Sequence, residues 1–233
     1  MSCQLLGRTP DGIQLLTIGE QDGRGLCGSS SGIMCTADGS KLVCSSPDGV
    51  KLVDLDSGQQ VSQLPEAGVV LAALSSSGDF LVTCTRPGKE ADGSMSKNLK
   101  VWDLGSCRCV FSLAQKQVSK DAWPVLHWAH DDSVFVHAVT NTVHVYSRAD
   151  GFSAYRKLSI KGIGGLALSP APPSPPSPLP LLAAFLPEAK GTPAAAALVR
   201  VGEAGEGEPH TLVRKSFFRT QGAKLMWNSP GTA

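Results

Sequence analysis

Asn98-Leu99-Lys100-Val101-Trp102-Asp103-Leu104 reads as a β-strand that alternates faces and ends in Trp102-Asp103. With a constant offset, Val50-Lys51-Leu52-Val53-Asp54-Leu55 carries the same apolar, basic, apolar, apolar, Asp, Leu order forty-nine residues earlier, and Val143-His144-Val145-Tyr146-Ser147 repeats the pattern forty-four residues later. A short turn follows each copy: Asp56-Ser57-Gly58, Gly105-Ser106-Cys107 and Ala149-Asp150-Gly151. Another strand follows each turn, over Gln60 to Leu64, Arg108 to Leu113 and Phe152 to Leu158. A strand-rich unit of about forty to fifty residues with a Trp-Asp strand end is the pattern of a propeller blade.

Working outward, Gly32 to Thr36 and Lys41 to Cys44 precede the first copy, and Asp38-Gly39 and Pro47-Asp48-Gly49 separate the strands. Such residues tolerate positive φ or close a turn with a side chain, so an antiparallel meander is expected. The second unit uses Val69 to Leu74 and Phe80 to Cys84, then carries a polar insertion over 85–97 before the opening strand. The third adds Pro124 to Trp128 and Val134 to Val139, and the fourth runs through Ile163 to Ser169, Leu181 to Leu186, Ala196 to Val201 and Thr211 to Phe218. Within the fourth, Pro and Ser make up nine of the eleven residues 170–180, which reads as an insertion between strands because proline cannot donate to a ladder. Lys224 to Trp227 would begin a fifth unit. The expected fold is therefore all-β: a WD40-type β-propeller, incomplete, with about four blades plus the start of a fifth over residues 32–233. Residues 1–31 are expected to hold one strand, Ile13 to Ile18, and loop. An open ring leaves unpaired edges, so either further sequence or a partner is expected to complete it.

The chain has 233 residues and 42% hydrophobic content, enough to bury a core. A net charge of +1 excludes nothing by itself, but its distribution is uneven: residues 86–120 hold seven basic and three acidic side chains, a basic zone around the opening strand. The start, Met1-Ser2-Cys3-Gln4, shows no basic segment followed by a long apolar run, so neither a signal peptide nor a membrane anchor is expected and the reading is cytoplasmic. Seven cysteines without a paired framework fit reduced, mostly buried thiols.

Several stretches together resemble the amino-terminal part of the eukaryotic translation initiation factor 2A family. They are Asn98 to Leu104 after a polar loop, Val139-Thr140-Asn141-Thr142-Val143-His144-Val145-Tyr146, Leu168-Ser169-Pro170, and Lys215-Ser216-Phe217-Phe218-Arg219 followed by Lys224-Leu225-Met226-Trp227-Asn228. The resemblance runs from about residue 36 to 228. It implies a cytoplasmic protein that binds the small (40S) ribosomal subunit and helps deliver initiator methionyl-tRNA, codon-dependent and GTP-independent, with mRNA and other initiation factors as further partners. It implies neither an enzyme nor a cofactor. A general WD-repeat scaffold for protein partners is the alternative.

The residues themselves support no catalytic constellation. Gly28-Ser29-Ser30-Ser31-Gly32 has nucleophile-elbow spacing but lies in loop with no base nearby in sequence, and Gly162-Ile163-Gly164-Gly165-Leu166-Ala167 is followed by a strand where a dinucleotide site needs a helix. His137 and His144 are equidistant from the Thr140-Asn141 turn and should be cross-strand neighbours, half a zinc site, with His127 and His130 on a different strand and turn; a metal is not expected. Ser169 to Pro180 has the spacing that proline-groove modules read, and also reads as a spacer. Nucleic-acid contact is the serious possibility. Arg86, Lys89, Lys97 and Lys100 lie in or beside the polar insertion, and Arg214, Lys215 and Arg219 flank Phe217-Phe218, giving cations for phosphates with aromatics nearby. At least one of the two phenylalanines is expected in a blade core, because neighbours on a strand point to opposite faces.

Overall fold

The computed structural model describes residues 4–9, 12–17, 24–27, 32–46, 48–116, 118, 120–170, 180–189, 191–201, 210–218, 220 and 222–228. Its described strands form one three-stranded and four four-stranded antiparallel sheets. By internal contacts the chain divides into two units, 1–123 and 124–233.

In the first unit, strands β1 (Gln4–Thr9), β2 (Gly12–Thr17) and β3 (Arg24–Cys27) form the amino-terminal sheet. One strand and loop were expected here. Gln4–Thr9 has no period-two alternation, and its strand character comes from pairing with β2, Thr9 opposite Gly12. Sheet 1 comprises β4 (Gly32–Cys35), β5 (Lys41–Ser46), β6 (Gly49–Asp54) and β7 (Gln60–Leu64), in chain order. Sheet 2 comprises β8 (Val69–Leu74), β9 (Phe80–Thr85), β10 (Leu99–Asp103) and β11 (Arg108–Leu113).

The repeat has the same local structure in its first two copies. Asp54 Oδ1 accepts from the Ser57 backbone N–H and hydroxyl at 2.7 and 2.6 Å, and Asp103 Oδ1 accepts from those groups of Ser106 at 2.6 and 2.8 Å. The Asp of the strand end thus closes the next turn. In the third copy Ser147 takes that place, its hydroxyl accepting from the Ala149 N–H at 3.2 Å. A β-bulge falls at Leu52/Val53 against β7 and, forty-nine residues on, at Val101/Trp102 against β11. In each case the extra residue lies on the outer strand, Val61 or Val110, while β10 keeps an unbroken register with β9 and its alternation turns Trp102 into the core between sheets. There Trp102, 4% exposed, joins Val43, Leu52, Leu64 and Leu81, while its indole N–H donates to Thr83 Oγ1 at 2.9 Å.

The first unit ends with a short 310 turn, Lys120–Ala122, and the second holds sheets 3 and 4. Sheet 3 has β12 (Leu126–Trp128), β13 (Val134–Val139), β14 (Thr142–Ser147) and β15 (Tyr155–Ser159). Sheet 4 has β16 (Gly165–Leu168), β17 (Leu181–Leu186), β18 (Ala194–Arg200) and β19 (Thr211–Phe217). Val136, Val143, Val145 and Leu158 from sheet 3 meet Leu168, Leu182, Ala184 and Val199 from sheet 4 in one core. The glycine run between the sheets serves this packing. Gly162 sits at φ +68°, and a Cβ on Gly164 would lie 2.8 Å from the Pro187 ring.

Two expectations fail in sheet 4. Lys224 to Trp227 forms no strand; residues 222–228 run without regular structure, and the Trp227 indole N–H donates to the Ala167 carbonyl at 3.2 Å. Neither Phe217 (37% exposed) nor Phe218 (91%) is core, because β19 is the outer strand of its sheet and has a described neighbour on one side only. The cysteines also divide: Cys44 and Cys84 are buried, whereas Cys35 and Cys109 are exposed, all with free thiols. The Gly28–Ser31 stretch and residues 171–179 of the proline-rich insertion lie outside the described residues.

Candidate nucleic-acid interface

The polar insertion is itself a small hairpin standing on sheet 2. Lys89 bridges to Met95, the Glu90 N–H donates to the Ser94 carbonyl at 2.9 Å, and the Ser96 N–H donates to the Gly88 carbonyl at 3.0 Å. Its base is tied down by Asn98, whose side-chain amide donates to the carbonyls of Thr85 and Gln115 at 3.0 and 3.1 Å. The legs therefore leave the sheet at fixed points. Arg86, Lys89 and Lys97 are exposed on these legs, but the tip carries two carboxylates, Glu90 and Asp92. Hydrogen bonds from the hydroxyl and N–H of Ser94 hold the Asp92 carboxyl below its usual range, so it stays ionised. The cationic surface is thus the pair of legs.

Lys100 does not join them. Its ammonium lies 2.6 Å from Glu66 Oε2, and the Glu66 side chain is 5% exposed. Glu66 follows β7 and Lys100 lies in β10, so the pair links sheet 1 to sheet 2, as does the hydrogen bond between Ser62 Oγ and Cys107 Sγ at 2.8 Å. Lys100 is committed to a buried carboxylate, a structural position that alternation alone could not distinguish from a solvated one.

Arg214 and Lys215 are exposed on β19 opposite Ala197 and Ala196, and so point to opposite faces of sheet 4. Arg219 lies outside the described residues. The first four candidates and the remaining ones belong to different units.

Sequence reasoning missed a further cationic, aromatic surface on sheet 3. His137, His144 and Lys157 form one cross-strand row, and Phe135, Tyr146 and Tyr155 the next row on the same face. The His144 ring stacks on Tyr155 with centroids 4.0 Å apart, and Lys157 Nζ lies 5.7 Å from the Tyr155 ring centre. On this face Tyr155 and Lys157 are exposed while Phe135, His137 and Tyr146 are buried, and Arg156, also exposed, points to the other face. The signal available in the sequence was the run Tyr155-Arg156-Lys157 on an outer strand.

The expected His137–His144 pairing is present, and no group of three or more metal-ligating side chains is gathered among the described residues. His137 is 6% exposed and its Nδ1 has no hydrogen-bond partner among the described residues. Burial, and then the proximity of His144 and His127, push its pKa down to about 4. The folded chain therefore refuses a proton that the unfolded chain accepts between about pH 6.5 and about pH 4. Its contribution is complete above pH 6.5 and is lost as pH falls to 4, at most about 3 kcal/mol. Denaturant unfolding at pH 7 and pH 4.5 should show a smaller loss on acidification for His137→Leu than for the wild type.

No family model matches the chain. It is 33% identical over 201 residues, 82% of its length, to a Schizosaccharomyces pombe protein named eukaryotic translation initiation factor 2A, and covers 33% of that protein. It is 25% identical over 93% of its length to the Dictyostelium discoideum protein of that name, covering 35% of it. A solved structure described as a crystal structure of the eukaryotic initiation factor superposes on the whole chain with a TM-score of 0.84 at 29% identity, the chain spanning 57% of it. The chain thus spans about a third of the length of the curated relatives it matches. Over most of its length this chain is similar to proteins named eukaryotic translation initiation factor 2A from several species.

Proposed function

We propose that the chain acts in translation initiation by binding: it helps direct initiator methionyl-tRNA to the small (40S) ribosomal subunit, codon-dependent and GTP-independent, and catalyses nothing. The observation that carries this reading is the similarity, over most of the chain, to proteins named eukaryotic translation initiation factor 2A from several species. The four successive four-stranded sheets are read as blades of a WD40-type propeller, with residues 32–233 a part of it and 1–31 an amino-terminal addition; the shared fold with a solved initiation factor supports this. The working compartment is the cytoplasm, and mRNA and other initiation factors are further partners.

Among the sites, the legs of the 86–97 hairpin fit phosphate contact best, because Arg86, Lys89 and Lys97 are exposed on a loop whose base is fixed by Asn98. Lys100 is set aside, since its charge is engaged by Glu66. The measurement is co-sedimentation of the chain with purified small subunits and initiator tRNA across a salt series. Reversing the three charges, Arg86→Glu, Lys89→Glu and Lys97→Glu, should weaken association about tenfold and flatten its salt dependence. Unchanged association would remove the hairpin from the interface. Failure of the wild type to follow either component would favour the scaffold reading, in which the same loops meet proteins only.

A further inference from the structure

A cleft of about 480 Å³ lies on the second unit, lined by the connector after β15, the β17–β18 turn and residues of β18 and β19. Its walls are aliphatic: Ile160 on one side, Leu186, Pro187 and Val199 on the other. Two cations line it, Lys161 and Arg214, both exposed and neither ion-paired to a carboxylate among the described residues. The hydroxyl residues Ser159, Thr192 and Thr211 also line it, and the described lining includes neither a carboxylate nor an aromatic ring.

The backbone that carries the cations is anchored on both sides of the cleft. The connector that carries Lys161 is fastened at both of its neighbours, the Ile160 N–H donating to the Asn141 carbonyl at 3.1 Å and the Gly162 N–H to Asn141 Oδ1 at 3.0 Å. Arg214 stands on β19, in register with Ala197 of the cleft floor. On the far side, Ala189 and Thr192 bridge to each other and close the β17–β18 turn. A ligand would therefore meet two positive charges carried on an anchored backbone across an apolar trough.

This chemistry discriminates between two classes of partner. Single-stranded RNA is held by aromatic platforms that stack on its bases, and the cleft has none among its described lining. A protein segment that places an acidic side chain between aliphatic ones matches both features, the charges with Lys161 and Arg214 and the apolar flanks with Ile160, Leu186 and Pro187. We propose that this cleft docks an acidic, aliphatic segment of a partner protein. Arg214 is thereby a protein contact, and the assignment does not depend on the RNA role of the 86–97 hairpin.

The test is to pan a random peptide phage library on the 233-residue chain, then to measure a synthetic selected peptide by fluorescence anisotropy. Selected sequences should carry Asp or Glu beside Leu, Ile or Val, and affinity should fall about tenfold or more in Lys161→Glu/Arg214→Glu. A second variant, Ala189→Trp, fills the trough and keeps both charges, and should weaken the same peptide. Circular dichroism establishes that each variant is folded. Selection without acidic enrichment, or peptide affinity unchanged in both variants, overturns the proposal. So does an oligouridylate whose binding, in place of the peptide's, is lost in Lys161→Glu/Arg214→Glu, since the cleft would then be an RNA site.

Discussion

Replacing Trp102 with alanine should destabilise the first unit by about 3–5 kcal/mol, the range for removing a fully packed tryptophan. Trp102 is 4% exposed in the core between sheets 1 and 2, so its loss opens a cavity that residues from both sheets line. The substitution also leaves Thr83 Oγ1, in a side chain with no exposed surface, without the donor that now meets it at 2.9 Å. Chemical unfolding followed by tryptophan-independent circular dichroism measures the change. Trp102→Phe keeps a six-membered ring in the site and loses the N–H together with the rest of the indole's five-membered ring; it should recover more than half of the loss. A Trp102→Ala protein within about 1 kcal/mol of the wild type would contradict the placement of this residue as the link between two sheets.

The second large effect is expected at Lys100. Truncation to alanine strands the Glu66 carboxylate, 5% exposed, and should cost about 3–5 kcal/mol, as breaking one side of a buried ion pair does. The Lys100 side chain is itself 29% exposed, which places the expectation at the lower end of that range. Replacing both partners, Glu66→Leu with Lys100→Met, should bring stability back to within about 1 kcal/mol of the wild type, because the apolar pair needs no desolvation. A double-mutant cycle by urea unfolding reads this directly. Strict additivity of the two single changes would mean that the pair is not coupled, and that Lys100 is available to a ligand after all.

These two residues also show how far a linear reading reaches. Trp102-Asp103 marked the repeat, and both members proved structural, the Trp between sheets and the Asp capping the turn through Ser106. The neighbouring Lys100 reads in sequence as one of the cations in or beside the polar insertion. Its partner Glu66 lies thirty-four positions away and follows a strand of another sheet, so no local pattern could reveal it. Among the other candidates, Arg86, Lys89 and Lys97 were placed on an exposed polar loop, and the structure has them exposed on the legs of one hairpin. The Tyr155–Lys157 patch and the Lys161–Arg214 cleft are legible only in three dimensions: each is ordinary in sequence and acquires chemistry from its cross-strand or cross-sheet neighbours.

By itself the sequence determined an all-β chain, the position of most of its strands and the turns that join them, because alternation and the Gly, Asp and Ser chemistry of turns act within a few residues. Only the tertiary structure decided what covers each side chain. It paired Lys100 with Glu66, left Phe217 and Phe218 in solvent on an outer strand, buried His137 without a partner for Nδ1 among the described residues, and kept 222–228 out of any strand. Each of those outcomes depends on which distant segment packs against a residue, and packing between sheets is not written in the period of any one strand.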